Sequence, residues 1–127
     1  MNPALRIFNE ALANGLTSNQ ANLLVAQAKH ETGEFTSPVF LAYNNCFGMR
    51  PAQERNAEQL NYRSTDSYAH YQNIEQSVRD LLYWFDAKNF TWYDTPELYC
   101  AELKRHDYFT DTLENYSQDV SKFFYNG

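Results

Sequence analysis

Glu31 ends a stretch of helical pattern, and the residues beyond it suit a ligand better than a core. Counting back, Ala28, Leu24 and Ala21 fall on one stripe of a 3.6-residue period, so the carboxyl stands at the end of an apolar helical face. A carboxyl group half sunk in such surroundings keeps its proton to higher pH, the property a general acid needs. Further on comes Asn44-Asn45-Cys46-Phe47-Gly48. Its asparagines tolerate unusual backbone angles and offer amide groups, and at Gly48 backbone can come close to a ligand. Against this stands a plainer reading: a Glu near a helix end is in most proteins a solvated side chain, and an Asn-rich turn can simply join two helices. The two features together, between Ala26 and Arg50, favour chemistry over either alone.

A helix must deliver the acid to that place. Thr17-Ser18-Asn19-Gln20 is a capping box, with Thr at the N-cap and Gln at N3, and predicts a helix from Ser18 to about Thr32 with Gly33 as C-cap. Glu31 then lies at the negative end of the helix dipole, which disfavours its ionised form, as burial does. Before it, Asn2-Pro3 opens a helix with Leu5, Phe8 and Leu12 on its apolar face and Gly15 at its end. Phe35 to Tyr43 has no clean period and carries Pro38, which predicts a loop or a single turn, and Pro51 to Tyr71 is polar and weakly patterned.

Three more helices follow. Asn73 with Gln76 caps one from Ile74 to about Asp86, with a stripe of Ile74, Val78, Leu81, Leu82 and Phe85. Ser77 and Asp80 on it suit helix and loop hydrogen bonding better than chemistry. Thr95-Pro96 starts a helix ending near Arg105-His106, where Lys104, Arg105 and His106 complement the dipole. Asp111 or Thr112 opens the last, with Leu113, Tyr116, Val120 and Phe123 on one side, which makes Tyr116 a core residue by default.

Four blocks in order, Ala26-Gln27-Ala28-Lys29-His30-Glu31-Thr32-Gly33, Asn44 to Arg50, Tyr71 to Asp80, and Tyr108-Phe109-Thr110-Asp111 with Tyr116 beyond, resemble the peptidoglycan N-acetylglucosaminidases of glycoside hydrolase family 73. The resemblance runs from about Asn19 to Phe123. It implies a mainly α, lysozyme-like, two-lobed helical fold with a glycan groove, as a single catalytic domain over residues 1–127, and it makes Glu31 the general acid. It implies that Asn44, Asn45, Phe47 and Gly48 line the groove near the acid, with Tyr71 and Tyr108 as further substrate-binding residues. It also implies a short or reduced β-hairpin in residues 51–71 carrying a second carboxylate, for which Glu54 ranks ahead of Glu58. That segment lacks the Gly a tight hairpin turn favours. The family's final active-site Tyr falls on Tyr116, which here comes five residues after Asp111, about two later than in the family. Either the helix opens with an extra half turn that restores its position, or the role has lapsed.

The expected activity is hydrolysis of the β-1,4 bond after N-acetylglucosamine in a peptidoglycan strand. A muramidase or lytic transglycosylase on the same fold, or a glycan-binding module that does not cut, are the alternatives. A second carboxylate would set retention or inversion by its distance; without one, the substrate's 2-acetamido group can act as nucleophile with Tyr116 positioning it.

Composition bounds this reading. A chain of 127 residues with 43% apolar content builds one core. Ten Tyr and two Trp suit half-buried helix positions and also sugar binding, because a ring face packs on the C–H face of a pyranose. A net charge of −6 with scattered basic residues argues against a nucleic-acid partner, and offers no electrostatic pull towards an anionic wall. Affinity must come from groove contacts or from another module. Cys46 and Cys100 show no metal-ligand spacing, so no metal and no cofactor are expected; one disulfide is conceivable, and two buried thiols are favoured. No run of about 18 apolar residues occurs, and the start lacks the pattern of a secretory signal, so a membrane partner is not expected. A monomer is.

Overall fold

The computed structural model describes residues 1–51 and 67–126. They form α1 (Pro3–Ala13), α2 (Ser18–Thr32), α3 (Pro38–Tyr43), α4 (Ile74–Ala87), α5 (Pro96–Arg105) and α6 (Leu113–Asn126), with no strand among them. The fold is mainly helical, in keeping with the lysozyme-like class. The expected hairpin, and with it Glu54 and Glu58, lies almost wholly outside the described residues. Residues 67–71 form no helix or strand, with Ser67 left-handed (φ 64°) and the Ala69 and Tyr71 amides donating to the Met49 and Tyr43 carbonyls.

Short-range chemistry starts the helices where expected. The side chains of Asn2, Thr17, Asn73 and Thr95 each accept a hydrogen bond from an amide of the following first turn, and Thr17 and Gln20 complete the capping box. Thr112 opens α6 by accepting from the Asn115 amide. Residues 38–43 depart from the expected loop or single turn and form the short helix α3. Ser37 accepts from the Phe40 amide and Pro38 takes the first helical position, and this combination outweighs the missing period.

α2 is the central element: α1 packs on one side and α6 on another, with α4 against α1 and α5 against α6. Its Ala21, Leu23, Leu24, Ala26, Gln27 and Ala28 are all buried, so little of it beyond the first turn faces water. The buried Gln27 carboxamide accepts from the Tyr99 phenol of α5. The inward face of α1 differs from the expected one. Ile7 and Ala11 are buried, whereas Leu5 and Leu12 are 44% and 39% exposed. Apolar residues cover a broad arc of this helix, and ion pairs from Arg6 to Glu75 (2.7 Å) and from Arg79 to Glu10 (2.9 Å) join its flank to α4. Periodicity alone could not find the middle of that arc. Both cysteines are buried free thiols, and burial pushes each up to about 12.

Residues 88–95 are tied down by Glu102 of α5, whose side chain is almost wholly buried. It accepts two hydrogen bonds from Arg105 (2.8 and 2.9 Å), one from the Thr91 amide (2.9 Å), and contacts His106 Nε2 at 3.0 Å. Arg105 first, then Thr91 and His106, hold the carboxyl down at about 2 against burial. A depressed carboxylate stabilises the fold above its ordinary titration range and ceases to do so as pH falls through the folded value. Glu102→Gln should therefore lower the urea midpoint at pH 6, and the gap from the parent should close as pH approaches 2. A gap that stays constant with pH would show that the charge on Glu102 does not contribute.

Candidate active site

Three elements converge on Glu31. It stands in the last turn of α2, which Gly33 ends in the left-handed conformation (φ 57°) that glycine adopts without strain. From α6, the Tyr116 phenol donates to Glu31 Oε1 at 2.6 Å. From the loop after α3, Gly48 (φ 67°) comes so close that a methyl group on it would lie 3.0 Å from Glu31 Oε2. Burial raises the pKa of Glu31 above the ordinary carboxylate value, while the Tyr116 hydrogen bond and the neighbouring His30 pull it back in part. The helix dipole acts in the same sense as burial.

Tyr116 is itself held rigidly. The Phe109 ring stacks flat on it (3.8 Å between centroids, 1° between planes), and the His30 ring meets it edge-on at 4.4 Å. His30 Nδ1 in turn lies 3.2 Å from Asp119 of α6. Burial, and then the charge of Glu31, keep the Tyr116 phenol well above its usual pKa, so it remains a donor. Lys104 fixes the loop bearing Phe109 by donating to the carbonyls of Phe109 (3.2 Å) and Asp111 (2.8 Å). Removing the phenol oxygen removes a group that favours ionised Glu31. In Tyr116→Phe the Glu31 carboxyl should titrate at higher pH than in the parent, followed by carbon NMR of the side chain; an unchanged or lower midpoint would count against this hydrogen bond.

Beside these residues runs a groove of about 570 Å³, within the range of ligand pockets. Glu31, Gly48, Phe47, Tyr108 and Tyr116 line it, together with His30, Arg50, Tyr68, Asp107, Phe109 and Asp111. All of it lies in a stretch shared with known proteins: residues 10–126 match the family model Glucosaminidase, described as mannosyl-glycoprotein endo-beta-N-acetylglucosaminidase. The chain belongs to the glucosaminidase family. Membership places it among the glycoside hydrolases. No curated protein and no solved structure matches it.

In this glucosaminidase domain the residues singled out from the sequence are not all alike. Glu31, Phe47, Gly48, Tyr108 and Tyr116 meet at the groove. Asn45 borders it, but its side chain is spent on the loop: its amide nitrogen donates to the Met49 and Ala69 carbonyls, and its oxygen accepts from the Met49 amide at 3.0 Å. Asn44, in the left-handed conformation at φ 55°, caps α3 and donates to the Tyr71 carbonyl. Tyr71 is buried away from the groove and donates to Asp80 of α4. Tyr108 donates to the Phe47 carbonyl, which anchors the loop from the other side. The Asn-Asn block therefore shapes the loop that carries Gly48.

Phe109, His30, Arg50, Tyr68 and Asp107 were not singled out from the sequence. Phe109 had a usable signal, since it lies inside the Tyr108-Phe109-Thr110-Asp111 block, and His30 directly precedes the acid. Arg50, stacked over the Tyr68 ring at 4.3 Å, ends the Asn44 to Arg50 block and had the same kind of signal, whereas Tyr68 and Asp107, at φ 58°, had none.

Proposed function

We propose that the domain hydrolyses the β-1,4 bond after N-acetylglucosamine in peptidoglycan, with Glu31 as general acid. The observation that carries this is a partly buried carboxyl at a sugar-sized groove, with one oxygen held by Tyr116 and the other turned towards Gly48. Because Oε1 already accepts the Tyr116 hydrogen bond, the proton of the neutral acid belongs on Oε2. From there it passes to the leaving glycosidic oxygen as the bond to the anomeric carbon breaks. The carboxylate left behind keeps the Tyr116 hydrogen bond, which offsets part of the cost of a charge in a buried place.

Positive charge gathering on the anomeric carbon needs an anionic neighbour or the substrate's own acetamido oxygen. Asp107 and Asp111 border the groove and are carboxylate candidates there, beside Glu54 outside the described residues. Tyr116, with its hydroxyl committed to Glu31, fits better as the positioner of the acid than of the acetamido group. Purified peptidoglycan, digested, reduced and analysed by mass spectrometry, tests the bond cut. Reduced N-acetylglucosamine ends support the proposal; reduced muramic ends would reassign the domain as a muramidase, anhydromuramic ends as a lytic transglycosylase, and no release of fragments as a binding module.

A further inference from the structure

A second hollow of about 630 Å³ lies near the other end of α2. It is bordered by the end of α1, the C-terminal half of α4 and residues 89–92. Leu16, on its wall, precedes the first turn of α2 and Glu31 stands in the last, so the two sites are about 20 Å apart along that helix.

Its lining has two halves. One is aromatic: Tyr83, 44% exposed, Phe85, Phe90 and Trp92 border it, and the Trp92 ring packs against Phe85 (5.2 Å) and Tyr99 (5.7 Å). The other is polar and uncommitted. Among the described residues nothing hydrogen-bonds the side chains of Asp86 or Asn89, the Tyr83 hydroxyl or the Trp92 indole N–H, whereas Asn14 spends its amide nitrogen on Glu10. Among the described residues no Lys, Arg or His borders the hollow, and Asp86 gives it a negative charge. Ring faces beside unspent donors and acceptors fit a polyhydroxylated ligand, because the C–H face of a pyranose packs on a ring while its hydroxyl and amide groups find partners at the rim. The charge disfavours an anionic ligand and favours a neutral sugar at the centre of the site.

We infer that this hollow is a second glycan-binding site, taking neutral N-acetylhexosamine units and holding the domain to an insoluble polymer while Glu31 works elsewhere on it. The ligand class rests on the glycan reading above; the location does not. Such a site supplies the wall affinity that a chain of net charge −6 cannot draw from electrostatics.

The test uses the full chain carrying Glu31→Gln, so that nothing is cut, titrated with chitotetraose and followed by nitrogen NMR. The Trp92 indole signal should shift and saturate, and Tyr83→Ala should weaken that response about tenfold. Asn89→Gly, which keeps a backbone at φ 54° comfortable and removes the carboxamide, should weaken it too. With Glu31 intact, Tyr83→Ala should slow fragment release from insoluble walls and leave turnover of soluble glycan oligomers unchanged. Chitotetraose shifts confined to the groove around Gly48, with Trp92 silent, would overturn the inference while leaving the proposed activity standing. Saturating Trp92 shifts from a protein that cuts no wall would uphold the site and sink the activity.

Discussion

Glu31→Gln is expected to lower the rate of glycosidic cleavage by about 10²- to 10⁴-fold, the contribution of a positioned general acid, while the fold survives. Gln keeps the shape of Glu and its oxygen still accepts from Tyr116, so the contact at 2.6 Å is retained and only the transferable proton is lost. Stability should move the other way. The folded pKa of Glu31 is raised, so at neutral pH the fold carries the cost of a buried charge that the unfolded chain does not. A neutral amide removes that cost, and Glu31→Gln should melt at or above the parent temperature at pH 7. The same sign governs the parent's activity: it should persist above the ordinary glutamate range and fall as pH rises through the Glu31 value. Unchanged turnover by the variant on peptidoglycan would refute the role given to this residue.

Gly48→Ala should have the next largest effect, for two separable reasons. The backbone at φ 67° costs a residue with a Cβ about 1–2 kcal/mol, and the new methyl would press on Glu31 Oε2 at 3.0 Å. Since Oε2 is the oxygen proposed to carry the proton, displacing it should cut activity by about 10- to 100-fold. Gly15 provides the control, because its φ of 89° is also left-handed and, among the described residues, nothing lies within 4 Å of a Cβ there. Gly15→Ala should lose stability with activity intact, whereas Gly48→Ala should lose both. Equal activity in the two variants would show that the close approach to Glu31 does not matter. Urea midpoints and initial rates on the same preparations distinguish these outcomes.

What was legible beforehand was mostly local. Thr17 with Gln20 and Asn73 with Gln76 act over three residues, and the helices they start begin where expected. The stripe ending at Glu31 was equally plain, and Ala21, Leu24 and Ala28 are all buried, but so are Leu23, Ala26 and Gln27, which that stripe did not include. α1 shows the limit of such reasoning: its apolar arc was broad enough that packing against α2 and α4, which no local pattern shows, buried Ile7 and Ala11 rather than Leu5 and Leu12. Tyr71, grouped with the groove residues by resemblance, turns instead to Asp80. Nothing within the block could separate a phenol facing a ligand from one closing a buried hydrogen bond.

By itself the chain determined its mainly helical class, every helix start but that of α3, the position of Glu31 at the end of α2 and the membership that four ordered blocks suggested. These depend on contacts within a turn or two, or on motifs read in sequence. Only the tertiary structure decided that Tyr116, 85 residues from Glu31, reaches it despite its unusual spacing from Asp111. Only there do Phe109 and His30 brace that phenol, and only there is the room at Gly48 seen to serve the acid. Such pairings follow from how α2, α6 and two loops pack together, and the energy that selects them is spread over the whole core rather than written in any short stretch.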